Sequence, residues 1–146
     1  MTEQEELQIE WACSRLITIY ANLVDAGRWE EAAALYEADG IMARPSAPDQ
    51  PIAGRAAILA AFLERPGRYS RHFCSNIIVE VESPRSARAQ SRILLFTAEQ
   101  GSAAEGAAEL PRLSGAPLVG EYDDRLVRGE AGWRFAERRG RLSFRF

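Results

Sequence analysis

The chain has 146 residues, 47% of them hydrophobic and 27% charged, with a net charge of −3 and a pI near 5.3; that is one domain's worth of sequence with a core of its own, and it excludes a disordered chain. All 18 basic residues are arginine, which excludes a Schiff-base lysine, a lysine general base and a phosphate-loop lysine; they are scattered among acidic residues, so nucleic acid is not an expected partner. Two distant cysteines, Cys13 and Cys74, and a single histidine, His72, do not make the ligand set of a protein-bound zinc or iron, so no metal is expected.

Residues 1–6 are acidic and run into an amphipathic segment, unlike the basic start and apolar stretch of a signal peptide. There is no long apolar run either, and the expectation is a cytoplasmic protein with no membrane partner. Over residues 5–26, Ile9, Cys13, Leu16, Ile19, Tyr20 and Leu23 recur every three or four positions, a helix with one buried stripe that Gly27 ends. Residues 29–38 repeat the spacing through Trp29, Ala32, Ala33 and Tyr36, and Asp39-Gly40 reads as the turn that closes this second helix. Residues 41–44 predict a short strand, followed by a loop carrying Pro45, Pro48 and Pro51. Gly54 then precedes a third helix with Ile58, Leu59, Phe62 and Leu63, stopped by Pro66-Gly67.

Four strand-like stretches follow, 69–82, 87–98, 118–128 and 133–146, rich in Val, Ile, Leu, Phe and Tyr. Turns at 83–86 and 129–132 predict that consecutive strands pair antiparallel as a meander. Residues 99–117, rich in Gly, Ser, Ala and Glu without periodicity, predict a loop, assigned to a pocket mouth. Residues 1–146 are read as a single α+β domain in which a curved antiparallel sheet wraps on N-terminal helices as a cone, leaving a concave interior open at one end to a hydrophobic small-molecule ligand.

The stretches Tyr20 to Asp25, Gly27-Arg28-Trp29-Glu30, Leu35 to Gly40, Arg71-His72 to Asn76, Gly120 to Asp123, Gly132 to Phe135 and Arg138 resemble the nuclear transport factor 2-like (cystatin-like) superfamily, in its polyketide-cyclase-like (SnoaL-like) and scytalone-dehydratase-like branch. The resemblance covers most of the chain outside 99–117. It implies, in dehydratase and dehydrochlorinase members, an aspartate at the end of the first helix paired with a strand histidine, the positions of Asp25 and His72 here. A dehydratase of the group carries a tyrosine five residues before its aspartate, as Tyr20 stands here, where the dehydrochlorinase carries a lysine. The segments Arg-His-x-x-x-Asn and Gly-x-Tyr-x-Asp also resemble the small subunit of aromatic-ring-hydroxylating dioxygenases, a non-catalytic assembly subunit.

Independently of family, an imidazole titrates near neutrality and a buried carboxylate fixes its tautomer, so His72 supported by Asp25 reads as a general base; the other reading is a satisfied strand histidine and a helix-end turn residue. Tyr20, on the helix stripe, is either a core aromatic or a donor to a substrate oxygen. Period-2 alternation assigns His72, Cys74 and Asn76 to one face of a strand and Phe73, Ile77, Val79 and Val81 to the other. Asn76, Tyr122 and Arg138 are candidate substrate-binding residues, with a fold-holding role as the alternative. Cys74 is read as inert. The expectation is a lyase or isomerase of dehydratase type that needs no cofactor, or else a non-catalytic assembly or ligand-binding subunit; apolar residues on both sheet faces predict a homodimer or homotrimer.

Overall fold

Thr2 and Glu5 cap the first helix reciprocally. In the computed structural model, which describes residues 1–99 and 109–145, the Glu5 amide donates to the Thr2 hydroxyl at 3.2 Å and the Thr2 amide donates to the Glu5 carboxylate at 2.7 Å, satisfying two donors that a helix start leaves orphaned. Helix α1 (Glu3–Asp25) buries Ile9, Cys13, Leu16, Ile17, Tyr20, Ala21 and Val24, while Ile19 and Leu23 of the expected stripe sit on its partly buried flank. Helix α2 (Trp29–Ala33) is shorter than its apolar spacing predicts. Tyr36 and the Asp39-Gly40 pair lie instead in strand β1 (Tyr36–Arg44), because pairing with the last strand of the chain outweighs a weak local helical pattern.

The proline-bearing stretch expected as a loop is strand β2 (Ala47–Ala53), antiparallel to β1. It occupies one edge of the sheet, where a residue without an N–H is tolerated because one side of the strand has no ladder to serve. Helix α3 (Arg55–Leu63) follows, then β3 (Arg68–Ser83), β4 (Ser86–Glu99), β5 (Leu118–Gly129) and β6 (Gly132–Leu142). The strand order is β2-β1-β6-β5-β4-β3. Strands β3 to β6 form the expected meander, but β1 joins β6 in parallel, with Met42 opposite Arg138, so the open six-stranded sheet is mixed.

Two irregularities decide which side chains face the helices. On β3 the register shifts between Ser75 and Ile78, and Asn76 adopts φ of 52°, a left-handed conformation that asparagine tolerates better than most residues. This bulge reverses the alternation: Ser70, His72 and Cys74 point inward before it, Ile77, Val79 and Val81 after it, and Phe73 and Ile78 are left outside at 57% and 63% exposure. A second shift, between Arg125 and Leu126 on β5, lets both Phe135 and Arg138 of β6 point inward. Tyr20, Tyr36 and Phe135 meet edge-on or tilted, with centroids 5.4 to 5.8 Å apart, and Trp29 stacks on Phe62 at 5.4 Å. These aromatics pack together in the hydrophobic core between the helices and the sheet.

Of the loop assigned to the pocket mouth, residues 100–108 lie outside the described residues; in the described part, the Ser114 amide donates to the Thr97 carbonyl at 2.8 Å. No helix among the described residues is long and apolar enough to cross a membrane.

Candidate functional site

Asp25 closes α1 at the end where the helix dipole is negative, and no basic residue stands in the last turn. A carboxylate there is locally unfavourable, and what holds it is β3. The Ser70 hydroxyl donates to Asp25 Oδ1 at 2.8 Å, the His72 amide donates to Oδ2 at 2.7 Å, and His72 Nδ1 lies 2.6 Å from Oδ1. Burial drives the Asp25 carboxyl upward, but the His72 ring, the His72 amide and Ser70 together outweigh it, and the group stays below the ordinary aspartate range. An ionised carboxylate at Nδ1 puts the Nδ1 proton in that contact and leaves Nε2 as the basic lone pair. Nε2 has no partner among the described residues, and His72 lines a cavity of about 330 Å³.

That cavity lies between the inner face of the sheet and α1. Tyr20, Val24, His72, Tyr122 and Arg138 line its inner part, and Ser46, Pro66 and Arg68 mark its exposed rim. The Tyr36 hydroxyl donates to the Tyr20 oxygen at 3.1 Å, and the Tyr20 hydroxyl in turn donates to Met42 Sδ at 3.6 Å, a weak acceptor. Burial lifts the Tyr20 phenol above its ordinary range against the pull of Arg138, so it remains a proton donor. Cys74 also lines the cavity; burial raises its thiol, which leaves it protonated and a poor nucleophile.

The Arg138 side chain is almost wholly enclosed, 1% exposed. Its guanidinium lies 3.7 Å from the Tyr122 ring centroid and 4.7 Å from that of Tyr20. Its Nε is 3.2 Å from Asp124 Oδ1, yet without hydrogen-bond alignment, so the three guanidinium nitrogens and both carboxylate oxygens lack a hydrogen-bond partner. Burial, the larger influence, lifts the Asp124 carboxyl to about 6, and Arg138 opposes it. Such a pair is held by the surrounding fold more than by its own contacts.

The structure therefore brings together four of the six residues singled out from sequence, since Tyr20, His72, Tyr122 and Arg138 all line the cavity, and Asp25 stands directly behind His72. Asn76 does not join them. It is exposed at the β3 bulge, and its assignment to the face of His72 and Cys74 is corrected because the bulge breaks the alternation on which it rested. Ile77 and Ile78 side by side are the sequence signal that could have revealed the break. Asp124 was not singled out as a site residue, although the Gly-x-Tyr-x-Asp segment ends on it and period-2 counting from Gly120 through Tyr122 puts it inside; its neighbour Asp123 pairs instead with Arg141 at 2.7 Å. Sequence reasoning missed the cavity arginines Arg44 and Arg65 as well. Among the described residues no three His, Cys, Asp or Glu side chains gather as a metal site.

No protein of curated function matches the chain in sequence. Solved structures do. A scytalone-dehydratase-like protein of Novosphingobium aromaticivorans superposes with a TM-score of 0.79 at 23% identity, over 98% of this chain and 89% of that one. An NTF2-like protein with a cystatin-like fold from the same species gives 0.72 at 25% identity, over 94% and 83%. A protein of Catenulispora acidiphila in complex with S-DNPA gives 0.69 at 21% identity, over 93% and 94%. These likenesses establish an α+β, NTF2-like fold, and with the family model matched over residues 5–139, a span that includes the helix end bearing Asp25, the strand bearing His72 and the buried Arg138, the chain belongs to the SnoaL-like domain family.

Proposed function

We propose that the chain is a cofactor-independent lyase or isomerase of dehydratase type, acting on a hydrophobic, oxygenated small molecule. The observation that carries this reading is the 2.6 Å contact between His72 Nδ1 and Asp25 in a histidine that lines the cavity. In it, His72 Nε2 takes a proton from a carbon next to a carbonyl or hydroxyl-bearing centre, Asp25 stabilises the imidazolium that forms, and the same nitrogen returns the proton to the product or to a departing hydroxyl. Tyr20 polarises the substrate oxygen: Tyr36 donates into it, so its own proton points elsewhere, and a substrate oxygen is a better acceptor than the Met42 sulfur. Tyr122 and Arg138 form the wall that holds the substrate body.

Simple ketones can stand in for the natural substrate. Deuterium incorporation at the carbon next to the carbonyl of cyclohexanone, 1-tetralone and 2-tetralone in D₂O, followed by NMR, reads proton abstraction directly. The parent accelerates exchange of at least one ketone; His72→Gln loses roughly two to four decades of that rate. Asp25→Asn presents an amide N–H to Nδ1 and turns the ring to the wrong tautomer, so the double variant is scarcely slower than either single one. Exchange at the buffer rate across the three ketones, or full activity in His72→Gln, overturns the reading.

A second reading, a non-catalytic assembly or ligand-binding subunit, is favoured by the outer sheet face, where Phe73, Ile78 and Leu94 are exposed. Under either reading we propose that this face joins copies of the chain into a homodimer or homotrimer.

A further inference from the structure

The charge lining the cavity is one-sided. Four arginines, Arg44, Arg65, Arg68 and Arg138, contribute to its wall, and among the described residues no aspartate or glutamate does. The two carboxylates nearest the site are already committed, Asp25 to His72 and Asp124 to Arg138. Among the described residues neither Arg44 nor Arg65 meets a carboxylate within 4 Å.

Both side chains are also fixed in place rather than free to swing into water. Arg65 lies over the Phe62 ring at 5.0 Å and the Trp29 ring at 5.9 Å. Arg44 donates from one terminal nitrogen to the Ala61 carbonyl at 3.1 Å, and its Nε is buried with no hydrogen-bond partner. Deeper in, Arg138 adds three buried nitrogens without a hydrogen-bond partner. A guanidinium that is pinned, partly desolvated and short of acceptors is a costly arrangement to hold empty. Burial pulls the Arg65 guanidinium below its ordinary range, and the neighbouring charges of Arg44 and Arg68 pull it further; an anion between them relieves that repulsion.

We propose that the ligand of this cavity is an anion, a carboxylic acid whose carboxylate is held by Arg44 and Arg65 near the rim. Its apolar body reaches inward along Ile93, Leu95 and Tyr122 toward His72. Guanidinium forks suit a carboxylate because two parallel N–H groups match its two oxygens. The assignment rests on the cavity being a ligand site, and it is independent of whether His72 performs catalysis.

Matched acids and amides separate the two questions. Binding of 2-naphthoate and 2-naphthamide, and of cinnamate and cinnamamide, is measured by calorimetry and thermal shift on the full chain and on Arg44→Met, Arg65→Met and the surface control Arg141→Gln. The acids bind roughly ten- to a hundredfold more tightly than their amides. Arg44→Met and Arg65→Met each remove most of that ratio by weakening the acid alone, and Arg141→Gln leaves it unchanged. If Arg65→Met does not fold because it loses its contacts with Phe62 and Trp29, Arg44→Met carries the test. Equal affinity for acid and amide, or a ratio that survives in Arg44→Met, overturns the charge preference while leaving a ligand cavity in place. Failure of all four compounds to bind at millimolar concentration overturns the preference and the cavity reading together.

Discussion

Asp25 is the residue at which local preference and tertiary need conflict most openly. A carboxylate at a helix C-terminus opposes the dipole, and the three hydrogen bonds from Ser70 and His72 reverse that penalty. The pH dependence follows from the direction of its shift. With the folded pKa below the unfolded value of about 3.9, the unfolded chain takes up the proton first as pH falls. The stabilisation is therefore complete above that value and is lost as pH falls through the folded pKa. Thermal or urea unfolding across about pH 3 to 7 checks this: the parent's acid limb is steeper than that of Asp25→Asn. At neutral pH the variant is less stable by about 1–3 kcal/mol, since an amide offers one acceptor oxygen where two were in use. Asp25 and His72 were legible from the sequence because a helix end and a strand of clear alternation carry them, with a family resemblance behind both. Arg44 and Arg65 were not, because an arginine that lines a cavity and one that faces water look alike until the chain that surrounds them is known.

At the scale of elements, β3 shows how one residue sets a surface. Two residues of β3, Asn76 and Ile77, oppose the single Ser91 of β4 between the Ser75–Arg92 and Ile78–Gln90 pairs, and a bulge of this kind bends its strand. Deleting Asn76 leaves one residue opposite one. His72, Cys74, Ile77, Val79 and Val81 then alternate without interruption and keep the faces they have now. The expected outcome is a folded protein with a flatter β3 and a reshaped cavity, so the deletion variant retains cooperative unfolding and a parent-like far-UV spectrum while losing ligand binding and ketone exchange. Loss of cooperative unfolding counts against this account of the bulge. Element boundaries were largely legible where turn chemistry marks them, at the hairpins that follow Ser83 and Gly129; the Thr2–Glu5 capping box that starts α1 at Glu3 went unread, and the helix was expected from residue 5. The misread elements share a cause. Strand β2 is a strand because β1 offers it a free sheet edge that tolerates its prolines, and residues 36–40 join β1 because β6 lies beside them; in both, the pairing partner outweighs local propensity.

For the whole molecule, the outer face of β3 and β4 is the surface that asks for a neighbour. Phe73 packs edge-on against Phe96 with centroids 6.1 Å apart, and Ile78 and Leu94 extend the patch, with no helix among the described residues covering it, since α1 packs against the other side of β3. Clustered exposed apolar side chains of this kind mark an interaction surface. Sedimentation is expected to give a dimer or trimer at micromolar concentration, and Phe73→Ser with Ile78→Ser to give a monomer that still binds ligand; a monomeric parent sinks the prediction. The expected faces were right for Phe73 and wrong for Ile77, Val79 and Val81, again because of the bulge.

The parallel contact between β1 and β6 has a further consequence for how such a chain comes into being. Tyr36 and its partner Phe135 are about a hundred residues apart in sequence, and closing a loop that long costs entropy before any contact rewards it. Tyr20 leaves the ribosome more than a hundred residues before Arg138, yet both line one chamber. The nascent polypeptide therefore carries an unlined half-bowl until β6 has emerged and docked beside β1, and the ligand site is complete only then.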